Sequence, residues 1–160
     1  MSVLISFISI AVLTAVDQVI KFVVERYLQP IGSVEFINGF IGWNYVRNTG
    51  AAFGSFSQST TLLSIVTGIV ILAGIVLIAT KKIKSKFYLT CAVMVISGGL
   101  GNLIDRVLKG YVVDFIEVQF TDFAVFNFAD ILVTVGAIAI MIYVIVDMFR
   151  ERKNTGEKHE

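Results

Sequence analysis

Three short blocks between residues 98 and 130 hold the side chains best suited to chemistry: Gly98-Gly99-Leu100-Gly101-Asn102-Leu103-Ile104-Asp105-Arg106, Val112-Val113-Asp114-Phe115-Ile116 and Phe126-Asn127-Phe128-Ala129-Asp130. They set three aspartates, two asparagines and an arginine beside or inside long apolar runs, where unpaired polar groups are costly and polar residues are functional candidates by default. Val112, Val113, Phe115 and Ile116 hold the Asp114 carboxylate in a partly apolar setting, and Asp130 heads an apolar run. Two carboxylates brought together in a poorly hydrated pocket cannot both ionise comfortably, so such a pair retains one proton near neutral pH. The ionised member can take a proton from water while the protonated member hydrogen-bonds a carbonyl, which hydrolyses an amide with neither metal nor covalent intermediate. Asn127, three residues before Asp130, could orient a carboxylate or hold a substrate carbonyl.

Each candidate has a plainer reading beside it. Asp130 at the head of a helix could simply accept the first free amide protons as an N-cap. Asn102 and Arg106 are four apart and project to one side of a helix, with Asp105 pointing elsewhere. Arg106 would then either neutralise a buried carboxylate or reach lipid phosphate, and the sequence leaves both open. Asp17 and Lys21 share the same spacing and read as an ion pair bracing the site from a neighbouring helix. Gly98, Gly99 and Gly101 would let another backbone approach closely.

The elements that must position these residues follow from composition. With 160 residues, 56% apolar, one proline and a mean hydropathy of +0.85, the chain is an integral membrane protein. A net charge of +1, with cations not gathered on one stripe, excludes a nucleic-acid partner. The single cysteine, Cys91, can form no internal disulfide and reads as a packing residue. The single histidine, His159, lies in a charged tail, which removes histidine triads, zinc sites and haem ligation. No cofactor and no metal is expected.

Four runs are long and apolar enough to span a bilayer: 3–24, 62–80, 87–108 and 131–149. The first lacks a basic start and a cleavage site and carries Asp17 and Lys21, so it is a retained anchor rather than a secretory signal. Lys81, Lys82, Lys84 and Lys86 between the second and third spans, and Arg150, Arg152, Lys153 and Lys158 after the fourth, belong on the cytoplasmic side. Both termini are then cytoplasmic, and the connections at 28–58 and 109–130 lie outside. The first of these is more than a linker. Ser33-Val34-Glu35-Phe36-Ile37 and Ile41-Gly42-Trp43-Asn44-Tyr45-Val46 flank Asn38-Gly39, a strong hairpin signal, and Trp43 and Tyr45 suit the headgroup level. Asn48-Thr49-Gly50-Ala51-Ala52-Phe53-Gly54 follows, either a flexible interfacial loop or one that shapes a substrate site. The expected fold is an all-α polytopic membrane protein of one domain, with four transmembrane helices and a small extracytoplasmic β-sheet.

Taken together, the blocks resemble the bacterial lipoprotein signal peptidases, also called signal peptidase II. The resemblance runs in order through Asp17-Gln18-Val19-Ile20-Lys21, Asn48-Thr49-Gly50-Ala51-Ala52-Phe53-Gly54, Gly101-Asn102-Leu103-Ile104-Asp105-Arg106, Val112-Val113-Asp114-Phe115 and Phe126-Asn127-Phe128-Ala129-Asp130, with no departure at the family's key positions. It implies an aspartyl endopeptidase that removes signal peptides from prolipoproteins, cutting before a cysteine that carries diacylglycerol. It implies further that Asp114 and Asp130 are the catalytic pair, and that Asn48, Gly50, Asn102, Arg106, Asn127 and Ala129 line or support the site. Globomycin is the expected inhibitor, membrane lipids the surroundings, and a monomer the working form. On the residues alone, a metal-dependent phosphotransferase on lipid headgroups, with Asp105, Asp114 and Asp130 as oxygen ligands, stands level with a protease. The leading rival from another class is a proton- or ion-coupled carrier with Asp17, Asp105, Asp114 and Asp130 as a relay, weakened because three of these carboxylates lie near one face and nothing comparable lies near the inner face.

Overall fold

The computed structural model describes residues 2–50 and 60–156, with side chains through residue 149. The Ala51-Ala52-Phe53-Gly54 part of the loop read as either interfacial or substrate-shaping, and the tail holding His159, lie outside the described residues. The elements run α1 (Val3–Val23), a π-helical turn (Val24–Leu28), β1 (Ser33–Ile37), β2 (Ile41–Asn48), α2 (Thr60–Ala79), α3 (Lys86–Lys109), β3 (Val112–Val118) and α4 (Phe128–Gly156). Among the described residues four helices are long and apolar enough to cross a membrane, as the hydropathy runs predict. Two boundaries differ. The first span continues through the π-helical turn to Leu28, and the fourth begins at Phe128 instead of 131, which moves Asp130 from the head of the helix into its first turn.

α3 is the central helix. Half of its most apolar window (50%) is buried, against 11% for α2 and for α4, so α2 and α4 leave most of their apolar surface exposed while α3 is packed on several sides. Small residues permit this packing. A side chain at Gly98 would collide with the backbone carbonyl of Ala129, and one at Gly101 with the Asp17 carboxylate; the absent side chains thus bring both α4 and α1 against α3. Gly99 faces Ile71 and Thr67 of α2. The expected close approach is therefore present, and it lies beside the polar residues. Thr14 and Gln18 of α1 donate to the carbonyl oxygens of Ser97 and Gly101 at 3.3 and 3.1 Å, lacing the two helices together.

The helices have a dry half and a polar half. Ile10, Ile71, Ile78, Leu89, Val93 and Ile96 form an apolar core toward the α2–α3 turn. At the other end lies a three-stranded antiparallel sheet in the order β1-β2-β3. The β1–β2 hairpin turns at Asn38-Gly39 as its sequence predicts, with Phe40 N–H donating to Ile37 O at 2.9 Å. The third strand is the addition. Gly110, at φ 80°, ends α3 with its N–H on Arg106 O, and the chain leaves at once as β3, pairing Val46 with Asp114 and Asn48 with Val112. Trp43 stacks on Phe115 with ring centroids 5.8 Å apart on the face away from Asp114.

Candidate active site

Asp114 is carried on β3 and is 1% exposed. Both of its oxygens accept amide protons: Oδ2 from Asn48 Nδ2 at 2.8 Å and Oδ1 from Asn127 Nδ2 at 2.6 Å. Asn48 is itself oriented, since its Oδ1 accepts the Gly50 N–H at 2.9 Å and so leaves the amide nitrogen facing Asp114. That local turn requires a short side chain at 48 and accounts for the Asn-x-Gly spacing.

Asp130 sits in the first turn of α4, and its two oxygens are likewise occupied. Oδ1 accepts from Asn102 Nδ2 at 2.8 Å and Oδ2 from the backbone N–H of Asn127 at 3.1 Å. In return the Asp130 N–H donates to Asn127 Oδ1 at 2.9 Å. This reciprocal pair is a capping box, and it corrects the N-cap reading of Asp130: the cap is Asn127, with Asp130 three residues inside. The fully buried Asn127 side chain also donates to Asn102 Oδ1 at 3.1 Å, so one amide touches the helix start, Asn102 and Asp114 together. Just before the cap, Phe126 N–H donates to Ile116 O at 3.1 Å, and Phe115 and Ile116 N–H donate to Phe126 O. The lead-in to α4 is thereby tied to β3, which fixes one aspartate's element against the other's.

Asp114 and Asp130 line one cavity of about 420 Å³, together with Asn48, Gly50, Asn102 and Arg106. Its remaining wall is mostly apolar, from Val112, Phe126, Ile131 and Val135 among others. Arg106 is half-buried, interacts electrostatically with Asp130 and Asp114, and its Nε finds no hydrogen-bond partner among the described residues. A guanidinium on the cavity wall beside two carboxylates can hold a carbonyl oxygen of a bound substrate. Burial, and secondarily the charge of Asp130, push the Asp114 carboxyl up to about 6, against the opposing pull of the Asn48 and Asn127 amides.

The remaining expected residues fall into two groups. Ala129, fully buried, donates its N–H to Asp17 Oδ1 at 3.1 Å, so its part is played by the backbone. Asp17 and Lys21 do form the expected ion pair at 2.9 Å, yet Lys21 reaches further, to Asp105 at 3.1 Å and Asn102 Oδ1 at 2.8 Å. Asp105, which points away from the Asn102–Arg106 face and reads from sequence as a metal ligand or relay group, has instead a bracing role that the sequence reading does not foresee. It is fully buried, pairs with Lys21 and with Lys109 at 3.1 Å, and accepts the Val113 N–H at 3.2 Å. The four-residue step to Lys109 was the available signal. Engaged in this way, Asp105 does not line the cavity, and among the described residues no group of three acidic, histidine or cysteine side chains is arranged to hold a metal. The three-carboxylate metal site therefore lacks its third ligand.

Comparison with known proteins places the chain in a family. The family model described as Signal peptidase (SPase) II matches residues 9–146. The chain is 42% identical to the lipoprotein signal peptidase of Caldanaerobacter subterraneus subsp. tengcongensis over 135 residues, covering 83% of this chain and 90% of that one. It is 37% identical to the lipoprotein signal peptidase of Enterococcus faecalis over 141 residues, 88% of each chain. A solved bacterial membrane enzyme, determined by the in meso method at 2.3 Å, superposes with a TM-score of 0.81 at 35% identity, covering 89% of this chain and 88% of that one.

Proposed function

The chain belongs to the signal peptidase II family, and we propose that Asp114 and Asp130 are its catalytic pair, cutting signal peptides from diacylglyceryl-modified prolipoproteins just before the lipidated cysteine. The observation that carries this reading is a single cavity lined by both carboxylates at the sheet end of four apolar helices. A substrate anchored in the bilayer by its own lipid arrives laterally, and its scissile bond, one residue from that anchor, meets the protein at the membrane edge. Asp114, the more deeply buried member with its carboxyl pushed up to about 6, keeps the shared proton and hydrogen-bonds the scissile carbonyl. Asp130 takes a proton from the attacking water. Water oxygen bonds to the carbonyl carbon, the amide nitrogen receives a proton, and the C–N bond breaks. Arg106 on the cavity wall offers its guanidinium charge to the developing oxyanion, and Asn48, Asn102 and Asn127 hold the two carboxylates in register.

On this reading the cavity opens outside the cytoplasm, both termini are cytoplasmic, and the protein works as a monomer among membrane lipids. The test is to incubate the purified protein with a lipidated prolipoprotein and identify the released peptide by mass spectrometry. Cleavage before the lipidated cysteine, unchanged by chelator and blocked by saturating globomycin, is the expected result. Loss of cleavage with chelator would replace the carboxylate pair by a metal mechanism.

A further inference from the structure

Three fully buried charged side chains have no direct part in that chemistry: Asp17, Lys21 and Asp105. Their contacts nevertheless end at the two aspartates. Lys21 Nζ lies 2.9 Å from Asp17 Oδ2 and 3.1 Å from Asp105 Oδ2, and donates to Asn102 Oδ1 at 2.8 Å. Asp17 Oδ1 in turn accepts the N–H of Ala129, the residue before Asp130. Asp105 Oδ2 accepts the N–H of Val113, the residue before Asp114. Asn102 completes the set by donating to Asp130 Oδ1.

We infer that Lys21 is a positioning residue for the cleavage reaction, one ammonium that fixes the backbone ahead of each aspartate through Asp17 and Asp105 and the carboxylate of Asp130 through Asn102. The inference rests on the assignment of Asp114 and Asp130 as the reacting pair. An ammonium has three donors and no acceptor, and here each donor has its own acceptor on a different arm. The arm to Asn102 also sets direction. With its Oδ1 accepting from Lys21 and Asn127, the amide can present only its nitrogen to Asp130, and a flipped amide would set N–H against ammonium. Charge neutrality alone would need one carboxylate. The second, Asp105, is shared with Lys109, which pairs with Glu25 at 2.8 Å, so the hub holds more contacts than compensation of Lys21 requires.

The test separates positioning from folding. Lys21→Met removes all three donors at similar length, and misplacing reacting groups by about 1 Å costs on the order of 100-fold in rate. Lys21→Met is therefore expected to lower kcat by roughly that factor with KM within about twofold, because Lys21 lies outside the substrate cavity. Lys21→Met/Asp105→Asn restores the charge balance, and Asn at 105 can still accept the Val113 N–H. The double variant should recover the Tm of the parent to within a few degrees while kcat stays at least about tenfold low. Recovery of kcat together with Tm, or a double variant that fails to fold, would assign Lys21 to folding alone and overturn the inference. So would a parental kcat in Lys21→Met. Asp130→Asn in the same assay distinguishes the two levels: its activity lost while Lys21→Met keeps the parental rate removes only the hub, whereas activity retained in Asp130→Asn removes the pair itself.

Discussion

Asp114 differs from an ordinary carboxylate because burial and the neighbouring Asp130 push its carboxyl up to about 6. If this group holds the shared proton, cleavage falls as pH rises through about 6, and kcat/KM should show a basic limb there, read as a property of the pair. The same shift acts on stability. The folded state binds the Asp114 proton more tightly than the unfolded chain, so its favourable contribution is complete below about pH 4 and is lost as pH rises to about 6. In Asp114→Asn this component of the pH dependence should vanish, and thermal unfolding of both proteins in detergent from pH 4 to 7 checks it. For activity, Asp114→Asn and Asp130→Asn are each expected to cost roughly 10³-fold or more, with the double variant scarcely worse, because an amide can neither accept the water proton nor share one. The price of Asp130→Asn in stability is set by geometry. Asp130 uses two oxygens for two donors, and an amide keeps one, leaving a donor unpartnered at about 1 to 3 kcal/mol. An Asp130→Asn protein that unfolds like the parent and cuts at the parental rate would end the catalytic assignment.

The elements show where sequence reading stops. Long apolar runs fix four helices, and Asn38-Gly39 between two alternating runs fixes a hairpin, because both signals are local. The pairing of β2 with β3 is not local: Val46 meets Asp114 across 68 positions of chain, and nothing in either strand names its partner. Asp105 fails for a related reason, since helical spacing gives a side chain's direction but not what stands there. At the start of α4, Asn127 and Asp130 are both good N-cap residues three apart, so composition could not choose between them, whereas the capping box uses both. Asn127 thus joins helix initiation to the site, and substitution can pull these apart. Asn127→Ser keeps a capping oxygen but loses the donations to Asn102 and Asp114, while Asn127→Ala loses all the side-chain bonds. The alanine variant should be less stable than the serine variant by about 1 kcal/mol, yet both should lose activity alike, by about 10- to 100-fold. Equal stabilities would mean that the cap contributes nothing to α4.

At the scale of the whole molecule, a polar cluster is sealed inside an apolar shell at one end of the helices. Asp17, Lys21, Asn102, Asp105, Asp114 and Asn127 are all buried, while side chains such as Leu4, Ile8, Val19, Ile65, Ile69, Met141 and Ile145 face outward along the spans. The outward faces fit hydrocarbon, which neither competes for the buried hydrogen bonds nor weakens the ion pairs as water would. This division also carries the argument for orientation. The sheet, the cavity and both aspartates lie where α1 and α3 end and α2 and α4 begin, whereas Lys81, Lys82, Lys84 and Lys86 cluster at the opposite end, around the α2–α3 turn. Positive charge flanking spans remains on the cytoplasmic side, so the cavity end should face outward, toward lipid-modified precursors that have crossed the membrane. In a Cys91→Ala background, cysteines replacing Ser33 or Thr121 should then react with an impermeant thiol reagent added to intact cells, and a cysteine replacing Ser85 should react only after lysis. Labelling of position 85 alone in intact cells would turn the molecule over and remove the aspartates from the face where their proposed substrate waits.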